Sequence, residues 1–207
     1  MNKFKSTEEL YFSYYLEELK EAGFIYNWIY ESSKFNLTEK VELNYIKQMK
    51  NKLKNETEFL LHPSSITADF TIEWNILAEN IFYLNVNKAV KNIKIIPFRL
   101  SDINGGASLK SLIEIKPLGT FKANTSNISF PYKQKFVCKT HGIYIQKIIP
   151  FNLKPKPSSL FYNTFVPKKV IELETYKVNT KIAHVGDTKF KFKPITLLEY
   201  LNKITNG

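Results

Sequence analysis

Ser65-Ile66-Thr67-Ala68-Asp69-Phe70-Thr71-Ile72-Glu73-Trp74 alternates polar and apolar residues without a break. Period-two alternation marks a strand with one face in a core. Here Ile66, Ala68, Phe70, Ile72 and Trp74 share one face, and Thr67, Asp69, Thr71 and Glu73 share the other. Downstream, Leu109–Lys116 reads as a second strand ended by Pro117. Within it Glu114 and Lys116, two residues apart, fall on one side, and Ile113 and Ile115 on the core side. Between these strands, Ile81–Val86 suits a hairpin partner for the first. Lys94–Leu100 suits a short strand closed by Asn104-Gly105-Gly106.

Helical signals flank the strands. Ser6 is placed to N-cap a helix with Glu9 as its capping-box partner, and Gly23 to stop it. Phe12, Tyr15, Leu16, Leu19 and Ala22 make its apolar stripe, with Glu8 within the stripe and Glu9 on its edge. Phe24–Leu37 reads as an aromatic strand. The charged stretch 38–60 has partial helical spacing and predicts a helix or a mobile excursion. Ser129-Phe130-Pro131 suggests a helix start and Gly142 its stop, followed by a strand over Ile143–Ile149. KIIPFRL at 94–100 and KIIPFNL at 147–153 echo each other, as apolar strands ended by Pro. The prolines of 150–167 predict a loop-rich connection. Residues 195–204 suit a terminal helix with Leu197, Leu198 and Leu201 inward. The order helix, strands, helix, strand is that of an α/β fold: a central mixed sheet flanked by helices. We expect a single domain over 1–207, with an inserted hairpin or lobe at about 76–108 and a basic extension over about 150–207.

Composition narrows the class. With 16 Phe and 12 Tyr in 207 residues a sizeable core is required. The one cysteine, Cys138, excludes an internal disulfide framework, and its neighbours Phe136 and Val137 suggest buried packing. His62, His141 and His184 are scattered, which argues against structural zinc. No run reaches the roughly 18 apolar residues of a membrane span, and the first residues lack a signal-peptide core. The expectation is a soluble, cytoplasmic protein with no membrane partner. The net charge of +11 is uneven: residues 131–194 hold 13 Lys against 3 acidic residues, while 1–62 hold 9 Lys against 10 Glu. A localised basic surface points to a polyanion, and lysine to phosphate contact rather than base reading.

An acid and an amine side by side at a strand end suit phosphodiester hydrolysis. The carboxylate holds a divalent ion, and the amine orients water or stabilises charge on phosphorus. Asp69 on the neighbouring strand supplies a second carboxylate, and Mg²⁺ takes a few carboxylates plus water and phosphate. Asp69 with Glu114-Ile115-Lys116, preceded by a glutamate in the first helix, resembles the PD-(D/E)xK nuclease superfamily. Within it, the Ser6-x-x-Glu9 helix start, Ala68-Asp69-Phe70 and Glu114-Ile115-Lys116-Pro117 are similar to phage-encoded endonucleases and Holliday-junction resolvases. The resemblance covers the layout of residues 6–150 and about ten residues of motif. It implies an αβββαβ core and a metal-dependent DNA endonuclease acting in the host cytoplasm. Glu9, Asp69, Glu114 and Lys116 would be catalytic, and Asp69, Glu114 and Ile115 would hold Mg²⁺ or Mn²⁺. Lys133, Gln134, Lys135, Lys139, Lys168 and Lys169 would contact DNA, branched DNA included.

Asp69 and Glu114 stand 45 residues apart, farther than that family usually places them. Asp102, 12 residues before Glu114, is the rival ligand, although its Ser-Asp-Ile-Asn-Gly-Gly setting suits a turn. Glu8 is the rival of Glu9. Two other functions share this grammar: a non-catalytic nucleic-acid-binding or phage assembly protein on the nuclease fold, and a transposase-type end-cleaving nuclease. Cutting both strands of a junction calls for a homodimer, with 24–35 and 158–166 as candidate apolar interfaces.

Overall fold

The computed structural model describes residues 4–84, 96–106, 108–116, 125–151, 159–173, 183–185, 188–190 and 193–206. Of 125–128 and the last two strand pieces it describes the backbone alone. The chain runs α1 (Thr7–Glu21), β1 (Ile25–Thr38), β2 (Val41–Gln48), β3 (Leu53–Leu61), β4 (Ser64–Trp74), β5 (Tyr83–Leu84), β6 (Phe98–Arg99), β7 (Lys110–Ile115), α2 (Thr125–His141) and β8 (Ile145–Ile148). Then come α3 (Leu160–Asn163), α4 (Lys168–Ile171), β9 (Ala183–Val185), β10 (Thr188–Phe190) and α5 (Leu197–Thr205).

The central sheet has the order β1-β4-β7-β8. β1, β4 and β7 are antiparallel, and β8 is parallel to β7 after the α2 crossover. This is a mixed sheet flanked by helices. One face packs on α1 through Phe70, Ile72, Ile113 and Ile115 against Phe12, Tyr15 and Leu16. The other packs on α2 through Leu112 and Ile145 against Phe130 and Val137. Leu112 and Ile113 are neighbours in β7 yet serve opposite layers, as period two requires. The α1-side core is built largely of rings, with Tyr15 and Phe165 stacked at 4.3 Å between centroids. No helix among the described residues is long and apolar enough to cross a membrane.

Several expectations change. Residues 41–61 form an antiparallel two-stranded ribbon, not a helix. Val41, Leu43 and Tyr45 alternate with Glu42 and Asn44, and that short period prevails over the helical spacing of the charges. The described part of 81–86 does not pair with β4, whose two edges are taken by β1 and β7. Within that part, Tyr83–Leu84 pairs in parallel with β6. Phe82, Tyr83, Phe98 and Leu100 are buried in the α1-side core, so the described part of the 76–108 insertion packs into the main body. Residues 160–163 are helical within the connection read as loop. Helix α2 starts at Thr125, before the expected start, and carries Pro131 inside it at the cost of a helical hydrogen bond. Cys138 is only half-buried and Phe136 exposed, leaving Val137 as the packed residue of that group. In α5, Leu197 and Tyr200 point inward and Leu198 outward, since i and i+3 share a face and i+1 does not. The described part of 158–166 is core: Leu160, Phe161, Phe165 and Val166 are buried, which removes it as an interface. Of 24–35, Ile25 is buried and Phe24, Trp28 and Tyr30 pack on the core, while Tyr26 and Ile29 are exposed.

Candidate active site

Asp69 lies where the sheet comes apart on both sides. On one side, Tyr30 pairs with Phe70 and Ser33 with Ala68, so Glu31 and Ser32 together face Asp69 alone. Glu31 has a positive φ of 50°, and the strand bulges there. On the other side the β4–β7 ladder ends at Phe70↔Ile113. The same register would next bring Glu114 opposite Asp69 and then Ile115 opposite Ala68. Instead the Ile115 N–H donates to Asp69 Oδ2 at 2.7 Å, so a side chain replaces a backbone acceptor and the strands part. Core membership changes at the same place. Phe70, Ile72 and Trp74 belong to the α1 layer, whereas Ile66 and Ala68 join the α2 layer. The unbroken alternation of 66–74 had suggested a single face; the bulge and the ladder's end divide it.

Glu114 is buried at the end of β7. Its Oε1 is 2.7 Å from Lys116 Nζ, which places the pair side by side. Its Oε2 is buried with no hydrogen-bond partner. Burial, followed by the nearby charge of Glu114, pushes the Asp69 carboxyl up to about 7, while the Ile115 N–H and Lys116 pull it down. Two carboxylates thus meet in a partly dry cleft with too little positive charge between them.

Glu9 approaches from α1, close enough that its charge also raises Asp69. Ser6 caps α1 by accepting the Glu9 N–H at 3.1 Å. The capping box is not closed in the expected way: Glu9 Oε2 accepts the N–H of Lys5, at 2.9 Å, and the hydroxyl of Tyr30, at 2.6 Å. Burial and the bond to Glu9 drive the Tyr30 phenol well above its ordinary range, so it stays a neutral donor. The Lys5 ammonium contacts Glu31 across the bulge. Glu8 is half-buried one position along.

Asp69, Ile115, Glu114, Lys116 and Glu9 therefore converge. Asp102 does not join them. It accepts the Asn104 N–H at 2.9 Å and holds its own turn. It also lines a cavity of about 760 Å³ with Thr71, Glu73, Lys110 and His141, whose lining includes neither Asp69 nor Glu114. His141 bonds the Asn36 carbonyl oxygen at 2.9 Å, His62 stacks on Phe59, and the His184 side chain lies outside the described residues.

The six residues read as DNA contacts are divided. Lys135 and Lys139 are exposed on α2. Lys133 is half-buried, its Nζ 3.4 Å from the Ser65 carbonyl oxygen. Gln134 donates to the Ile145 carbonyl at 2.6 Å, tying α2 to β8, so it does not project toward a ligand. Lys168 and Lys169 sit on α4 against α1, with the Lys168 N–H on Glu18 and the Lys169 ammonium 5.5 Å from the Tyr14 ring. Those two thus belong to the other side of the sheet. Three neighbours of the site escaped the sequence: Lys5, Tyr30 and Lys147. Lys147 is exposed on β8 as the register partner of Glu114, on the same side of the sheet. Its signal was its offset in the strand after α2, legible only with the pairing known.

Among the described residues, no three His, Cys, Asp or Glu side chains form a metal-holding group. The carboxylate pair is what the site offers. Its orphaned Glu114 oxygen and its raised Asp69 both fit a cation. Mg²⁺ is commonly bound by one or two carboxylates, with waters and substrate phosphate completing its shell. No family model, curated protein or solved structure matches the chain.

Proposed function

We propose that the protein is a divalent-metal-dependent DNA endonuclease. The observation that carries this reading is the buried Asp69–Glu114 pair, with one Glu114 oxygen unpartnered and Lys116 2.7 Å from the other. The order α1, β1, β4, β7, α2, β8 supports it, since it agrees with the αβββαβ core of the PD-(D/E)xK superfamily. Asp69 and Glu114, with the main chain at Ile115, would hold the Mg²⁺ or Mn²⁺. The ion would polarise the scissile phosphate and acidify a bound water. Lys116 holds Glu114 in place and sets a positive charge where negative charge develops on phosphorus. Glu9, fixed by the Lys5 N–H and Tyr30, adds negative potential on the side of α1. Lys147 and the α2 lysines would carry the DNA backbone on the Glu114 side of the sheet.

The test is nicking of supercoiled plasmid and of a four-way junction, with and without Mg²⁺ or Mn²⁺. Metal-dependent cleavage that falls at least about a hundredfold in Lys116→Ala and Glu114→Gln, with both variants folded, is the expected result. Metal-independent cleavage, or none together with no divalent-ion binding by calorimetry, rejects the reading. Preference for the junction over linear duplex would place the enzyme among resolvases.

A further inference from the structure

The ribbon β2–β3 is an anomaly of the surface. Nine of the sixteen large apolar side chains exposed among the described residues lie in 41–61, with Ile46 65%, Leu53 64% and Leu60 58% exposed. The ribbon pairs only with itself and joins no other sheet. A lone two-stranded ribbon is marginal in water, and unpaired edges with exposed apolar residues call for a cover.

Its two faces differ. Glu56 and Glu58 lie on one face with Leu43 and Tyr45. Glu56 is already used there, by Lys47, Lys54 and the Tyr45 hydroxyl. The other face sets Ile46, Leu53 and Phe59 among Glu42, Asn44, Gln48, Asn55 and Thr57; Glu42 pairs with Lys40, whose ammonium lies 4.2 Å over the Phe59 ring. Apart from Glu42 at the base, that face carries no charge, and depletion of charge marks the centre of a protein interface. Charge is polarised along the ribbon. The turn end holds Lys47, Lys50, Lys52 and Lys54 against Glu56, a net of +3. The base holds Glu39, Glu42 and Glu58 against Lys40, a net of −2.

We propose that the ribbon is the contact with a second copy of this chain. Two ribbons related by a two-fold axis run antiparallel and bury the Ile46–Leu53–Phe59 face against itself. That arrangement sets the Lys50–Lys52 turn of each copy on Glu39 and Glu42 at the base of its partner, so the ribbon is complementary to itself in charge. Nucleic acid would answer the lysines but leave the apolar face uncovered. The proposal stands on the ribbon alone and does not depend on the nuclease reading.

Sedimentation velocity on the full chain tests it. The wild type should dimerise, more weakly as salt rises. Ile46→Lys with Leu53→Lys should weaken the dimer at least about tenfold, with the circular dichroism unchanged. Two charge variants guard against misfolding: Lys50→Glu/Lys52→Glu and Glu39→Lys/Glu42→Lys. Each alone should be monomeric, and an equimolar mixture should recover the dimer, because every turn then faces a base of opposite sign. A wild type that stays monomeric, or a dimer indifferent to these changes, overturns the proposal. So does a monomer whose DNA affinity falls in Lys50→Glu/Lys52→Glu, which would make the ribbon a nucleic-acid arm.

Discussion

Asp69 does two jobs that pull in opposite directions. Its carboxyl replaces a ladder acceptor for Ile115, which serves the fold, and it sits beside Glu114, which strains it. The ordinary aspartate value is 3.8 and the folded value about 7. Between these, the folded chain keeps a proton that the unfolded chain has released. The stability linked to this group is therefore complete below about pH 4 and is lost as pH rises through 7. Asp69→Asn keeps an acceptor for the Ile115 N–H and removes the titration. Melting of the metal-free protein should show the variant equal to wild type at pH 4. At pH 8 it should be more stable by about 1–2 kcal/mol, a figure reduced from the full shift because the site is partly open to solvent. Adding Mg²⁺ should raise the melting temperature of the wild type at pH 8 and leave the variant where it was. A wild type that gains stability relative to the variant from pH 4 to 8 contradicts this account. If Asp69 holds the proposed cation, proton and cation compete for one carboxylate, and Mg²⁺ affinity, followed by calorimetry, should fall as pH drops through 7.

Among elements, the strands of the sheet are legible in the sequence and the ribbon is not. β4 and β7 each announce themselves by alternation and by what ends them. The chain cannot state in advance that β1 bulges opposite Asp69, because bulges arise from the partner strand's register. The joint between β4, β6 and β7 is also a product of packing. Ser111 is fully buried, accepts the Trp74 indole N–H at 2.7 Å and donates to the Arg99 carbonyl at 2.6 Å. Ser111→Ala leaves a buried indole N–H and a carbonyl unpaired, and should cost about 1–3 kcal/mol in urea unfolding. Ser111→Cys, which retains a weak donor and acceptor, should cost less. Gly142 ends α2 at a φ of +65°, and a Cβ there would lie 2.5 Å from Asn104 Nδ2. Gly142→Ala should destabilise by about 1 kcal/mol or more, read from the same titration.

At the scale of the molecule, the basic charge is divided by the sheet. Lys135, Lys139 and Lys147 are exposed on the Glu114 side, and Lys168 and Lys169 lie on α4 with α1. If DNA lies over the Glu114 side, Lys135→Ala with Lys147→Ala should weaken binding and lower the salt slope by about two, seen by fluorescence anisotropy. Lys168→Ala with Lys169→Ala should change neither. Equal losses from both pairs would mean that the backbone path crosses α4.

The sequence by itself determined the α/β class, the strand and helix order of the sheet's flanks, and the candidate residues Asp69, Glu114 and Lys116. Those follow from local periodicity, caps and side-chain chemistry, which neighbouring residues in the chain already carry. Only the tertiary structure decided that 41–61 is a ribbon, that the described part of 158–166 is core and that Lys5, Tyr30 and Lys147 border the site. It also decided that Gln134 is spent on β8 and that Lys168 lies elsewhere. Each of these depends on which segments meet across many residues of chain, and one strand's pattern does not encode its partner's register.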